Sequence, residues 1–389
     1  MKTISQQIDR RTFLSLGLVA GAGCSGLPGR PLRHSGGARE MEDALRRSAE
    51  FLWSKQARDG GWHSSTYGLL RSGQSLTGFV LGALVEVPRQ VHQPQPARIE
   101  RALTFLRGHL DDGGAVGRSD PMLPDYPNYA TSLALRLWVR LAPPDSGQVI
   151  SAMSKYLLGQ QLTEQNGWKP DHPAYGAWGM GGDRRTPPDP GHVDISMTRH
   201  VLQALAAAGV PSGDPAFQKA RVYIERCHNF STGDGGMPDG GFYFSTVVPD
   251  ANKAGERERG FQSYGTATGD GILSMIALGN KSSDSRVVAA RRWLEANHLR
   301  DGAAGFKQEI HECWTRGLRF YYAAVASEAL RQLGAGGHLG PLAEALAQEQ
   351  RDDGSWSNPE NLVKEDDPLI ATPFAVRALA ACLPERRQR

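Results

Sequence analysis

A short unit recurs six times along this chain, and no other feature restricts its folding as much. The unit is a glycine followed closely by an aromatic or apolar residue. Its copies are Gln56-Ala57-Arg58-Asp59-Gly60-Gly61-Trp62, Asp112-Gly113-Gly114-Ala115, Asn166-Gly167-Trp168, Asp234-Gly235-Gly236-Met237, Gly302-Ala303-Ala304-Gly305-Phe306 and Gln350-Arg351-Asp352-Asp353-Gly354-Ser355-Trp356. Successive anchors lie 50 to 69 residues apart, a period that belongs to repeat architectures rather than to independent domains. Length alone, 389 residues, suggests two or three domains. The repeat replaces that expectation with one.

Ahead of each anchor runs an amphipathic helical pattern, clearest at Ile99, Ala102, Leu103, Leu106 and Leu110, which share one helix face. These segments read as outer helices. Behind each anchor, after a loop, comes an apolar stretch rich in small residues: 78–84, 130–137, 196–205, 271–278, 321–330 and 371–379. With so little polar surface, these read as inner helices. Outer then inner, six times and with no polar capping repeat, predicts an all-α (α/α)6 toroid of six outer/inner helix pairs over residues 40–384, since an open stack would leave apolar ends uncovered. The anchor itself has a structural explanation. Glycine admits the left-handed backbone that ends a helix, the aromatic packs back over the last turn, and the Gln and Asp bond the freed backbone groups.

Residues 1–23 read as an address. The run Asp9-Arg10-Arg11-Thr12-Phe13-Leu14 resembles the twin-arginine export motif, and the apolar stretch from Phe13 to Ala22 is too short to span a bilayer. Gly21-Ala22-Gly23-Cys24 looks like a lipoprotein box with Gly where a larger apolar residue is usual, while Ala20-Gly21-Ala22 offers ordinary cleavage; both alternatives stand. Acylation at Cys24 would tether the protein to a membrane, with residues 24–39 as a flexible tether. The expected location is extracytoplasmic, either periplasmic or membrane-anchored. A net charge of +3 is no nucleic-acid footprint, and four widely spaced cysteines form neither a disulfide framework nor a metal knuckle.

The two full Gln-X-X-Asp-Gly-X-Trp copies, Gln56 to Trp62 and Gln350 to Trp356, resemble the repeat of squalene and oxidosqualene cyclases and, more loosely, of protein prenyltransferase β subunits. The stretch Tyr264 to Met275 looks like an inner-helix segment of the same superfamily. The resemblance implies a terpenoid-cyclase-like toroid with a hydrophobic small molecule or lipid, isoprenoid or triterpenoid-like, in its central cavity. It also implies reactive motifs that this chain lacks. The cyclase acid motif Asp-X-Asp-Asp has its closest register at Asp194-Ile195-Ser196-Met197, where only the first Asp survives and Ser196 holds the proton-donating position. The prenyltransferase zinc set is incomplete: His311-Glu312-Cys313 offers two ligands, the sixth inner helix has no His, and Asp366 or Asp367 would have to complete it. No cofactor and no metal are expected.

All six anchor loops join an outer helix end to an inner helix start, so they share one end of the toroid. Residues 169–191 and 238–263, long and rich in Pro, Gly and aromatics, land there and are expected to roof a cavity mouth with Tyr175, Trp178, Phe242 and Tyr243. Inner-helix starts supply the polar set: Asp125, Tyr126, His192, Asp194, Tyr264, Asp270, Arg316, Arg319, Asp366 and Asp367, with Tyr321 and Tyr322 on the wall. Asp194 and Asp270 are the candidate catalytic residues, because each sits where an inner helix should face the axis. No protein partner is predicted. Two other classes stay open: a non-catalytic binding scaffold, and a glycan lyase or hydrolase using Asp194 and Asp270 with Trp178 and His192.

Overall fold

The computed structural model describes residues 37–383 apart from 121, 145, 231–237, 259 and 308. Arg10, Arg11, Cys24 and the Met237 anchor therefore lie outside the described residues. Among the described residues thirteen α-helices follow in chain order: α1 (Gly37–Ser54), α2 (Gln74–Leu84), α3 (Pro96–Gly108), α4 (Pro127–Leu141), α5 (Ser146–Gly159), α6 (Ile195–Ala207), α7 (Pro215–Arg226), α8 (Gly265–Ala277), α9 (Ser285–Ala296), a short α10 (Cys313–Gly317), α11 (Arg319–Gln332), α12 (Leu339–Glu349) and α13 (Pro368–Cys382). Among the described residues, extended pairing is limited to isolated bridges such as that between Gly179 and Val193. The first helix begins at Gly37, inside the segment expected to be tether.

The inner helices close a ring. α2 packs on α4, α4 on α6, α6 on α8, α8 on α11, α11 on α13, and α13 returns to α2, while outside it α12 packs on α1. The two layers differ in burial as expected. In α1 a single stripe is buried, including Ala44, Leu45, Ser48, Ala49 and Leu52, whereas α8 is buried at every position from Gly265 to Met275. Because each anchor loop links an outer C-terminus to an inner N-terminus, inner helices run from the loop end, the mouth, toward the opposite end, the floor.

The anchors lock neighbouring repeats together by one recurring geometry. The indole Nε1 of Trp62 donates to the Leu52 carbonyl 2.7 Å away and its backbone N–H to Thr77 Oγ1 at 3.0 Å. Trp356 repeats this with the Leu346 carbonyl at 2.8 Å and Thr372 Oγ1 at 3.0 Å. At left-handed Gly60, Gly114, Gly176, Gly240 and Gly354 an added β-carbon would lie 2.9 Å or less from a carbonyl oxygen of the next outer helix, at Arg101, Ala152, Lys219, Ala289 and Arg47 respectively. A side chain has no space there. The last of these contacts joins the sixth repeat to the first.

This geometry corrects three anchors. In the third repeat the lock is Trp178, with Nε1 on the Leu157 carbonyl at 2.7 Å and its backbone N–H on Thr198 Oγ1 at 3.3 Å. Gln161 plays the part of Gln56, donating to the carbonyls of Gly176 and Ala216, both 2.8 Å away. The extra chain lies inside the motif, and Trp168 belongs to that insertion, its Nε1 on the Arg185 carbonyl. In the fourth repeat Phe242 is the lock, its backbone N–H on Thr268 Oγ1 at 3.1 Å and its ring stacked 4.0 Å from His228. In the second, Val116 rather than Ala115 bonds Thr131 Oγ1, at 3.0 Å.

Loops of one repeat cap the inner helix of the repeat before. Asp125 accepts from Ser72, from Ser75 Oγ and from the Ser75 backbone N–H at the start of α2. Glu365 accepts from the Phe320 and Tyr321 backbone N–H groups, at 3.0 and 2.7 Å, at the start of α11. Burial pushes the Glu365 carboxyl up to about 7, against the lowering effect of these bonds and of Asn358. A folded-state value above the unfolded one means that the folded protein holds a proton the unfolded chain releases. The contribution of Glu365 to stability is therefore greatest below the ordinary glutamate range and is lost as pH rises through about 7. Melting temperatures from pH 4.5 to 8 should show Glu365→Gln flattening a slope worth on the order of 3 kcal/mol. A variant with the wild-type slope would remove Glu365 as its source.

Candidate functional site

One circuit of contacts passes through all six inner helices and so must encircle the axis. Tyr321 of α11 stacks on Phe374 of α13 with centroids 5.4 Å apart, and Phe374 meets Phe79 of α2 edge to face at 4.8 Å. Phe79 lies 6.4 Å from Tyr129 of α4, whose ring meets His200 of α6 at 4.5 Å. From His200 Nε2 the circuit continues 2.7 Å to Arg199 Nη2, and Arg199 Nε stands 2.6 Å from Asp270 Oδ1 on α8. Tyr321 Oη donates to Asp270 Oδ2 and closes the belt. Five rings and one ion pair thus face each other around the ring's centre.

The electrostatics follow from burial. Burial pushes Asp270 up to about 6, with Arg199 and the Tyr321 hydroxyl pulling the other way, so the carboxylate is largely ionised at pH 7. Burial, reinforced by Arg199, Arg136 and Arg377, holds His200 well below the ordinary imidazole range and keeps it neutral. Since Nε2 faces the Arg199 donor, the ring proton is assigned to Nδ1. Burial and then Asp270 push the Tyr321 phenol well above its usual value, which keeps its proton on.

Toward the floor the axis turns polar. Gln203 Oε1 accepts from Arg199 at 2.9 Å and from Arg136 at 3.4 Å, while Gln203 Nε2 donates to Glu328 at 3.0 Å. Arg377 pairs with Glu86 at 2.6 Å. Burial raises the Glu328 carboxyl, but Arg136, Arg199 and Arg377 outweigh it and hold it below its ordinary value. Tyr129 and Arg136, Ser196 and Gln203, Tyr321 and Glu328 lie seven residues apart on their helices and remain half-buried at the centre of the molecule. That retained accessibility marks them as lining of the axis rather than as core.

Of the residues expected at the site, Asp270 and Tyr321 belong to this belt. Others hold the fold. Asp194 caps α6, accepting from the Met197 N–H at 2.7 Å, and its second oxygen is 3.0 Å from His192 Nε2. Asp366 accepts from Tyr67, and Asp367 accepts from Ser64 at 2.5 Å and the Leu369 N–H, so both tie the sixth repeat to the first. Arg319 is buried against Glu349 at 2.9 Å, and Tyr322 bonds His298. Tyr264 is buried, its hydroxyl on the Ala251 carbonyl. Trp178 and Phe242 are 0% exposed and cannot roof a mouth; the repeat lock uses them instead. Tyr175 is buried with its hydroxyl on Glu164 and forms no roof, while Tyr243 is half-buried with its hydroxyl on the Arg226 carbonyl. A surface hollow of about 260 Å³ lined by Gly167, Trp168, Lys169, Asp171, His172 and Pro187 involves no belt residue. Among the described residues no cluster of His, Cys, Asp and Glu is arranged to hold a metal ion.

No family model matches the chain, and no curated protein matches it. Solved structures do. The chain is similar to a protein from Actinoplanes at 17% identity and TM-score 0.57, over 88% of this chain and 99% of that one. It is similar to a variant of the type II terpene cyclase MstE from Scytonema, in complex with geranylgeranyl dihydroxybenzoate, at 13% identity and TM-score 0.57, over 89% and 98%. A glycosidase variant shares 13% identity at TM-score 0.51, over 89% and 97%. The fold is the α/α toroid of terpene cyclases, and at these identities the likeness shows the fold alone.

Proposed function

We propose that the toroid binds an isoprenoid-type, largely apolar molecule against the aromatic belt, with Ser196, Tyr321 and Asp270 as its polar contact. The observation that carries this reading is the belt itself: four phenyl or phenol rings and one neutral imidazole in a closed circuit, broken only by the Arg199–Asp270 pair. A solved protein of the same fold is a terpene cyclase bound to a geranylgeranyl compound. Binding and orientation are proposed rather than direct alkene protonation. Asp270 is 0% exposed, is largely ionised at pH 7 and is engaged by Tyr321, whose hydroxyl in turn meets Ser196.

The polar floor of Arg136, Gln203, Glu328 and Arg377 favours a second reading, a polyhydroxylated ligand such as a glycan. Native mass spectrometry of protein purified from its own cell envelope, followed by solvent extraction, separates the two. Co-purifying polyisoprenoid or triterpenoid is the expected result; an empty protein that gains mass only on a glycan panel would overturn the lipid reading. Export through Arg10-Arg11 is part of the proposal. Replacing both with lysine should leave the protein in the cytoplasm, and unchanged fractionation would remove this element.

A further inference from the structure

The belt carboxylate is sealed from the axis, yet two hydroxyls connect it to the axis. Asp270 is 0% exposed and both of its oxygens are engaged, one by Arg199 and one by Tyr321. Tyr321 Oη also lies 2.6 Å from Ser196 Oγ, and both Tyr321 and Ser196 are half-buried on the axis-facing rows of their helices. A phenol has one proton, and a carboxylate can only accept. With Asp270 ionised, Tyr321 therefore donates to Asp270, Ser196 donates to Tyr321, and the lone pairs of Ser196 are left for the axis. With a proton on Asp270 Oδ2 the chain runs the other way: Asp270 donates to Tyr321, Tyr321 to Ser196, and the Ser196 O–H points to the axis.

We propose that Ser196, Tyr321 and Asp270 form a reversible hydrogen-bond relay that recognises an oxygen function on the ligand, presenting an acceptor to a ligand hydroxyl when Asp270 is ionised and a donor to an ether or carbonyl oxygen when it is protonated. The balance is one proton. It enters at Ser196 from the solvent side, each hydroxyl passes on its own hydrogen as it takes one up, and the last resides on Asp270. The groups facing Asp270 set where this happens. From α6 and its cap come Arg199, which favours the ionised state, and Asp194, which opposes it; from α11 come Tyr321 and Glu328. Tyr129 of α4 and Tyr264 at the start of α8 keep their protons. The outer helices behind α8 engage charges in surface pairs, Arg286 with Glu225 and Arg291 with Glu295. Burial raises Asp270 to about 6, so both states are reached between pH 5 and pH 8.

The ligand part rests on the lipid reading above; the relay does not, and two measurements keep them apart. The first needs no ligand. The infrared difference spectrum between pH 8 and pH 5 should contain a shift in a tyrosine C–O stretch that disappears in Tyr321→Phe and in Asp270→Asn, because the phenol changes its hydrogen-bond acceptor. The second compares farnesol with farnesyl methyl ether, which can accept a hydrogen bond but not donate one. At pH 8 farnesol should bind about tenfold more tightly, at pH 5 the two should bind alike, and Ser196→Ala should abolish the difference at pH 8. Absence of the infrared shift overturns the relay whatever binds. A shift without discrimination between bound probes overturns the oxygen-recognition role of Ser196. A shift with neither probe bound overturns the lipid reading and leaves the relay supported.

Discussion

Gly354→Ala is expected to lower the free energy of unfolding by about 3 to 5 kcal/mol, from left-handed strain together with overpacking. Gly354 has φ +86°, and a methyl group there would sit 2.5 Å from the Arg47 carbonyl oxygen of α1. Nothing flexible can yield, because the obstacle is helix backbone. Gly209 supplies the control: its φ is +89°, but a methyl group would meet nothing within 4 Å, so Gly209→Ala should cost only the strain, about 1 kcal/mol. Urea unfolding of the two variants reads the difference directly. Equal losses would mean that the contact between the last repeat and the first contributes nothing.

Arg199→Met is expected to destabilise by about 3 to 5 kcal/mol at pH 8, because it leaves the Asp270 carboxylate buried without its counter-charge. The effect depends on pH in a definite sense. Burial already raises Asp270 to about 6, and losing Arg199 raises it further above its unfolded value. The folded variant then holds the proton more strongly than the unfolded chain, so it is most stable in acid and loses stability as pH rises. The deficit at pH 5 should be well below that at pH 8. Combining Arg199→Met with Asp270→Leu should recover most of the loss, since two apolar groups replace the pair. Guanidinium unfolding at both pH values checks each step; a pH-independent deficit would place the carboxylate outside the effect.

The ring was legible in the sequence because a Gly-X-Trp lock is made from neighbouring residues. Trp62 and Trp356 could be read directly, and the six apolar stretches fall on the inner helices. The third and fourth locks were not legible because insertions separate their parts: Gln161 bonds the carbonyl of Gly176, and His228 that of Gly240. Within the first insertion Gly167 and Trp168 imitate the motif. A local pattern cannot reveal which glycine meets the next outer helix, since that is a contact between segments distant in sequence.

At the site, Asp270 and Tyr321 were visible as polar residues on inner helices, although Asp270 falls in the middle of α8 rather than at its start. Phe79, Tyr129 and Phe374 were not, because an aromatic on an inner helix reads equally well as core. A signal was nevertheless present. Arg136, Gln203 and Glu328 each follow a hydroxyl-bearing residue by seven positions, the spacing of one helical face. Asp125, Asp194 and Asp367, expected at the mouth, bond the first backbone N–H groups of α2, α6 and α13, because starting a helix consumes a carboxylate at the same place a ligand site would.

The seam between the sixth repeat and the first also has a temporal meaning. Ser64 bonds Asp367, Gln350 bonds the Ala44 carbonyl and Arg377 pairs with Glu86, contacts separated by 303, 306 and 291 residues. Each earlier interface joins segments that are neighbours along the chain and can form while the ribosome is still at work. The seam cannot form until Asp367 and Arg377 of the sixth repeat have been made. Synthesis therefore produces an open arc with two apolar edges, and slow, non-local closure converts it into a ring only after the sixth repeat has been made.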